Sequence, residues 1–145
     1  MKKLLLVIVI AIATYFGYVQ QHPRFSEVPS GGAARSDSVL ANAFKNHTSN
    51  IQVQDRGLVA KVLADDNEGS RHQRFVVRLG SGQTILIAHN IDLAPRITSL
   101  SEGDAVEFNG EYEWNSKGGV VHRTHRDPAG RHPGGWLKHH GKTFQ

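Results

Sequence analysis

Between Ile51 and His125 the chain divides into five strand-length runs separated by turn signals, and this order constrains the fold more than any other feature. The first run, Ile51–Leu63, is long. Gly57 interrupts its alternation, which predicts a bulge or bend, after which Leu58, Ala60 and Val62 share one face. In the second run, His72–Leu79, the alternation puts Phe75, Val77 and Leu79 inward and His72, Arg74 and Arg78 on the opposite face. Gly80-Ser81-Gly82 is a hairpin turn into the third run, Gln83–Ile91, which ends in His89-Asn90. Leu93–Leu100, broken by Pro95, reads as a short helix or turn, and Ser101–Asp104 as a turn. The fourth run, Ala105–Trp114, sets Val106, Phe108, Tyr112 and Trp114 against Glu107, Asn109, Glu111 and Glu113. Asn115–Gly119 then turns the chain into the fifth run, Val120–His125.

Five strands, a long bent first one and an insert between the third and fourth give the order of an OB-fold. The expected class is mostly β: a small five-stranded OB-fold-like Greek-key barrel. A small open sheet or sandwich of the same strands is the alternative. A short amphipathic helix should precede the barrel. Ser36 can cap it, Leu40 and Phe44 lie four apart on one face, and it should end near Asn46–His47.

The N-terminus has a different composition. Lys2 and Lys3 precede an apolar stretch from Leu4 to Val19, which matches a secretory signal or a minimal membrane anchor. The bulky Tyr15-Phe16-Gly17-Tyr18 offers no clear cleavage site, so both readings stand. Either way the lysines stay on the cytoplasmic side and the remainder is exported. The expected partner of residues 4–19 is therefore the inner membrane, and the expected location of the rest is extracytoplasmic. Gln20–Arg35, with two prolines and a Gly-Gly pair, reads as a linker. The expected organisation is 1–19 signal or anchor, 20–35 linker and 36–145 barrel domain.

The 145 residues contain no cysteine, which excludes disulfides, thiolate metal sites and a cysteine nucleophile. The net charge of +4 hides an uneven distribution. Trp114–Gln145 holds six basic residues and one acidic, and Asp92–Glu113 holds six acidic and one basic. A domain polarised in this way could steer a polyanion to one face.

The stretches Ser70-Arg71-His72-Gln73-Arg74-Phe75, Ala88–Arg96, Gly110-Glu111-Tyr112-Glu113-Trp114 and His122-Arg123-Thr124-His125 carry a resemblance. From about His47 to the C-terminus the chain resembles a bacterial family catalogued as a domain of unknown function, number 3465. Its members are short exported proteins with a His-Trp-Thr-His motif. Here Arg123 stands where the motif has tryptophan. The resemblance implies the domain and its export, and implies no activity.

Three groups of residues could carry chemistry. His122, His125, Asp127 and His132 are the candidate ligands for a divalent metal, because neutral imidazole and carboxylate suit such ions. His122 and His125 would point to opposite faces of a regular strand, so they converge only if the strand bends or ends, as Asp127-Pro128 suggests. His72, Arg74, His89 and Asn90 lie on the second and third strands, the usual ligand face of an OB-fold. Arg123 and Trp136 complete the candidate ligand-binding set, Trp136 either stacking on a base or plugging the barrel end. Glu111 and Glu113 share a face and could be metal ligands, a general base or partners of nearby arginines. The expected function is a binding module for a polyanion, either single-stranded nucleic acid or an envelope polymer. The alternatives are a metal-dependent phosphodiesterase with a His/Asp site, and a structural envelope protein.

Overall fold

The computed structural model describes residues 33–145. The predicted signal or anchor and most of the linker lie outside the described residues. Among the described residues no helix is long and apolar enough to cross a membrane.

Helix α1 spans Ala33–Lys45 and lays the fully buried Leu40 and the buried Ala43 against the barrel. Ser36 lies inside this helix rather than at its cap. The predicted end is met: His47 turns left-handed with φ 53°, and the Thr48 N–H closes on the Ala43 carbonyl. Trp114 holds this end. Its indole N–H donates to the Phe44 carbonyl at 3.0 Å, and His47 stacks on its ring at 4.0 Å. The same carbonyl also accepts the His47 N–H at 3.3 Å, so the helix end is held from two sides.

Five strands close the barrel: β1 (Ile51–Val62), β2 (His72–Leu79), β3 (Thr84–Asn90), β4 (Ala105–Glu113) and β5 (Val120–His122). The neighbours run β1-β2-β3-β5-β4, and a β1–β4 ladder seals the ring. All pairs are antiparallel except β3–β5, where Leu86 faces Val120 and Ile87 faces Val121. Closure removes the free strand edges that an open sheet would leave. The open-sheet alternative is thereby excluded.

The inward faces follow the alternation. Phe75, Val77, Val106, Phe108 and Tyr112 are buried together with Ile85, Ile87 and Val121. β1 differs from expectation in one detail. Its register shift lies between Val59 and Lys61, three strand positions after the expected Gly57. Val59 therefore points inward and Leu58 is 56% exposed. Gly57 stays in the ladder, where a Cβ would approach the Arg78 carbonyl oxygen to 2.7 Å. The segment after β3 is a turn and not a helix. The buried Gln73 fixes it, accepting from the Ile97 N–H at 2.9 Å and donating to the Ile97 carbonyl at 2.8 Å.

Two further strands follow the fifth: β6 (Trp136–His139) and β7 (Lys142–Phe144). β6 pairs with the first half of β4, beyond the stretch that β5 covers, and β7 pairs with β6. Leu137 and Phe144 are buried in the core. The sequence carried a signal for this hairpin. His140 and Gly141 form a two-residue turn in which both have positive φ, at 47° and 75°, between short alternating runs. Glycine at the second position favours this kind of turn.

A basic cleft at the end of the fifth strand

The segment after β5 does not continue as a strand. Arg123 takes φ 53°, which ends β5 at His122 and swings the chain away from the sheet. Two close approaches fix this exit. A Cβ on Gly110 would collide with the His122 carbonyl, and one on Gly135 with the Arg123 carbonyl. Gly135 also donates its N–H to the His125 carbonyl at 2.8 Å. The loop 123–135 is thus pinned across β4 at both ends, at two positions that only glycine can occupy without displacing backbone.

Asp127 organises the loop from within. Its carboxylate accepts the N–H groups of Ala129, Arg131 and His132. Burial alone would raise its pKa, but these three donors hold it below the ordinary carboxylate range. A carboxylate so engaged is a structural anchor.

Between this loop and the ends of β2 and β3 lies a cleft of about 410 Å³. Ser70, His72, Asn90, Leu93, His122, Arg123, His125, Arg131 and His132 line it. Two groups that are distant in sequence therefore meet: His72 and Asn90 from the OB-type ligand face, and the imidazoles and arginines of the closing stretch. Arg131 is an addition that sequence reasoning missed, because an exposed loop arginine has no pattern to mark it.

Three cleft histidines share one hydrogen-bonding arrangement. The Nδ1–H of His72 donates to the Ser70 carbonyl at 2.7 Å, that of His125 to the Arg126 carbonyl at 2.6 Å, and that of His132 to the Pro133 carbonyl at 2.8 Å. A carbonyl only accepts, so Nδ1 carries the proton in each ring.

The other predicted residues serve elsewhere. His89 points into the barrel and is fully buried. Its Nε2–H donates to the Pro95 carbonyl at 3.1 Å, and its Nδ1 accepts from the Thr124 hydroxyl at 2.8 Å. Burial pushes its pKa down to about 4. It is a neutral interior link between β3 and the closing stretch, not part of an exposed face. Arg74 donates its Nε–H to the Ala64 carbonyl at 3.1 Å and so ties the β1–β2 loop. Trp136 is half-buried on the outer face of β6 with the Lys138 ammonium 4.5 Å from its ring, and it is not among the residues lining the cleft.

The predicted metal set is not assembled either. Among the described residues, two groups of three ligand atoms lie within 4.8 Å of one another: Glu111–Glu113–His122 and Asp104–His139–His140. Only His122 of the predicted four belongs to one of them. His125 and His132 meet edge to face at 5.3 Å between ring centres, and Asp127 is committed to its loop.

Part of the opposed charge of the sequence meets across the ladders. β4 carries Glu107, Glu111 and Glu113 and has β5 and β6 as neighbours. Arg123 pairs with Glu111 at 2.5 Å, and His139 with Asp104 at 2.8 Å. Of the six basic residues from Trp114 onward, Arg123 and Arg131 line the cleft.

Together these features define a small closed β-barrel with a C-terminal hairpin and one cationic cleft beside the exit of its fifth strand. The model of the family described as "Protein of unknown function (DUF3465)" matches residues 24–145, and the chain belongs to that family. No curated protein matches the chain in sequence.

Proposed function

We propose that this domain is a binding module for a polyanion and that the cleft receives one of its anionic groups. The observation that carries the reading is the lining: His72, His125, His132 and Arg131 border the cleft beside His122 and Arg123, which face the carboxylates of Glu111 and Glu113 on β4, and no carboxylate lines the cleft itself. Guanidinium offers a planar pair of donors matched to phosphate or carboxylate oxygens. The rings of His72, His125 and His132 are held in orientation beside it by their Nδ1–H bonds to backbone carbonyls. Lys2-Lys3 before Leu4–Val19 supports an extracytoplasmic location with the inner membrane as N-terminal partner, which favours an envelope polymer over nucleic acid.

Binding of polyphosphate and of a short single-stranded oligonucleotide should be measured with chelator present. Affinity should fall steeply with added salt, because binding releases counterions from the polyanion. Affinity that ignores ionic strength would refute a charge-driven cleft. A reporter active only in the cytoplasm, fused after Gln145, should be silent. An active one would refute export.

A further inference from the structure

At the C-terminal end of β4, Glu111 and Glu113 lie two residues apart on one face. His122 of β5 sits directly across the ladder from Glu111. Side chains at such cross-strand positions reach one another. The His122 Nε2 is turned toward both carboxylates, 3.7 Å from Glu111 Oε1 and 3.4 Å from Glu113 Oε1. This nitrogen is buried from solvent and has no hydrogen-bond partner.

The distances discriminate between two accounts of that nitrogen. An imidazolium donating to a carboxylate closes to about 2.7–2.9 Å. His139 does so with Asp104 at 2.8 Å in this same molecule. His122 stands too far from either oxygen for such a bond. Ligands about 2.1–2.2 Å from a tetrahedral ion are about 3.4–3.6 Å apart, which is close to the spacing seen. The other oxygen of Glu111 accepts from Arg123, and this bond fixes the carboxylate's orientation. Arg123 thereby takes the supporting role that outer partners play around metal ligands.

We propose that Glu111, Glu113 and His122 form a binding site for a divalent transition ion of the zinc type. One imidazole and two carboxylates suit such an ion, and three protein ligands leave a further position for water or an anion. Two carboxylates and one arginine carry a net charge of −1 before the ion binds, so a divalent ion leaves the locality at +1. This site goes beyond the polyanion reading and does not rest on it, although His122 borders the cleft as well.

The test is calorimetric titration of the chelator-stripped full chain with zinc alone, alongside cobalt(II) absorption to report the coordination geometry. One saturable site is expected. Glu113→Gln and His122→Gln should each weaken it at least about tenfold, a loss of the size that even supporting residues produce at metal sites. Asp104→Asn, at the other His/carboxylate group, should leave affinity unchanged. Glu113 is 44% exposed on its side chain, so Glu113→Gln should fold, and its thermal melt verifies this. Absence of saturable zinc binding overturns the proposal. So does wild-type affinity in both ligand variants, or loss of the site in Asp104→Asn. The titration contains no polyanion, and polyanion binding is measured in chelator, so either idea can fail without the other.

Discussion

The histidines of the barrel wall and those of the cleft are the same side chain put to opposite uses. His89 and His139 are buried and bonded to partners on other elements: Thr124 and Pro95 for the first, Asp104 for the second. They join strands to turns. His72, His125 and His132 each bond a backbone carbonyl within two residues, though His125 is itself buried and the His132 Nε2 lies 3.8 Å from Asp127 Oδ2. Histidine content therefore says little about function in this chain. The sequence distance to the hydrogen-bond partner separates a structural ring from an available one.

The largest effect should come from His89. Its folded pKa, about 4, lies below the ordinary 6.5, so the unfolded chain binds the extra proton first as pH falls. Its contribution is complete above pH 6.5 and is lost progressively toward pH 4, about 3 kcal/mol in total. Asp104 acts in the same direction at lower pH. The His139 hydrogen bond, with the Ser101 N–H, holds its carboxyl below the ordinary range, so its contribution is lost as that carboxylate protonates. Denaturant unfolding as a function of pH should show the first loss, and His89→Gln should flatten it. A wild-type curve already flat between pH 6.5 and 4 would break the contrast.

His139→Ala comes next. It removes a buried ring and strands Asp104, which also accepts the Ser101 N–H at 2.9 Å. The expected cost is about 2 kcal/mol, read from the denaturation midpoint. His132→Ala sharpens the comparison from the other side. Its ring bonds the adjacent Pro133 carbonyl, meets His125 edge to face and lies 3.8 Å from Asp127 Oδ2, all within one loop, so stability should change by less than it does in His139→Ala while polyanion affinity falls. A loss as large as that of His139→Ala would place His132 among the structural rings.

The smallest effect should be that of Arg131→Ala. Arg131 is exposed and lines the cleft, and its side chain should be dispensable for folding. In a plot of log affinity against log salt the slope should shrink by about one, as expected for one lost phosphate contact. An unchanged slope would remove Arg131 from the binding surface.

The barrel was legible because its signal is periodic. Phe75, Val77, Val106, Phe108 and Tyr112 sit at alternate positions, and the turns between runs are rich in glycine and polar residues. The hairpin from Trp136 to Phe144 was missed because each arm is only three or four residues long, too short for alternation to stand out. The site was legible in part. The closing stretch was identified, but the fifth strand was expected to run to His125 with its bend or end signalled by Asp127-Pro128, whereas it ends at His122. The event that ends it, a left-handed Arg123, is set by Gly110 and Gly135 approaching from distant elements and has no local signature. His89 was misplaced because its outward neighbours Ala88 and Asn90 are small or polar, and the alternation there is too weak to orient the ring. The pairing of His122 with Glu111 is a matter of register between β4 and β5, which sequence alone does not give.

The most direct test of the cleft is a titration with polyphosphate followed by ring resonances of the individual histidines in nuclear magnetic resonance spectra. The rings of His72, His125 and His132 should shift together and saturate at one ligand concentration, while those of His89 and His139 stay in place. Saturable binding that leaves the three cleft rings unmoved, or that moves His139 and His140 instead, would contradict the account.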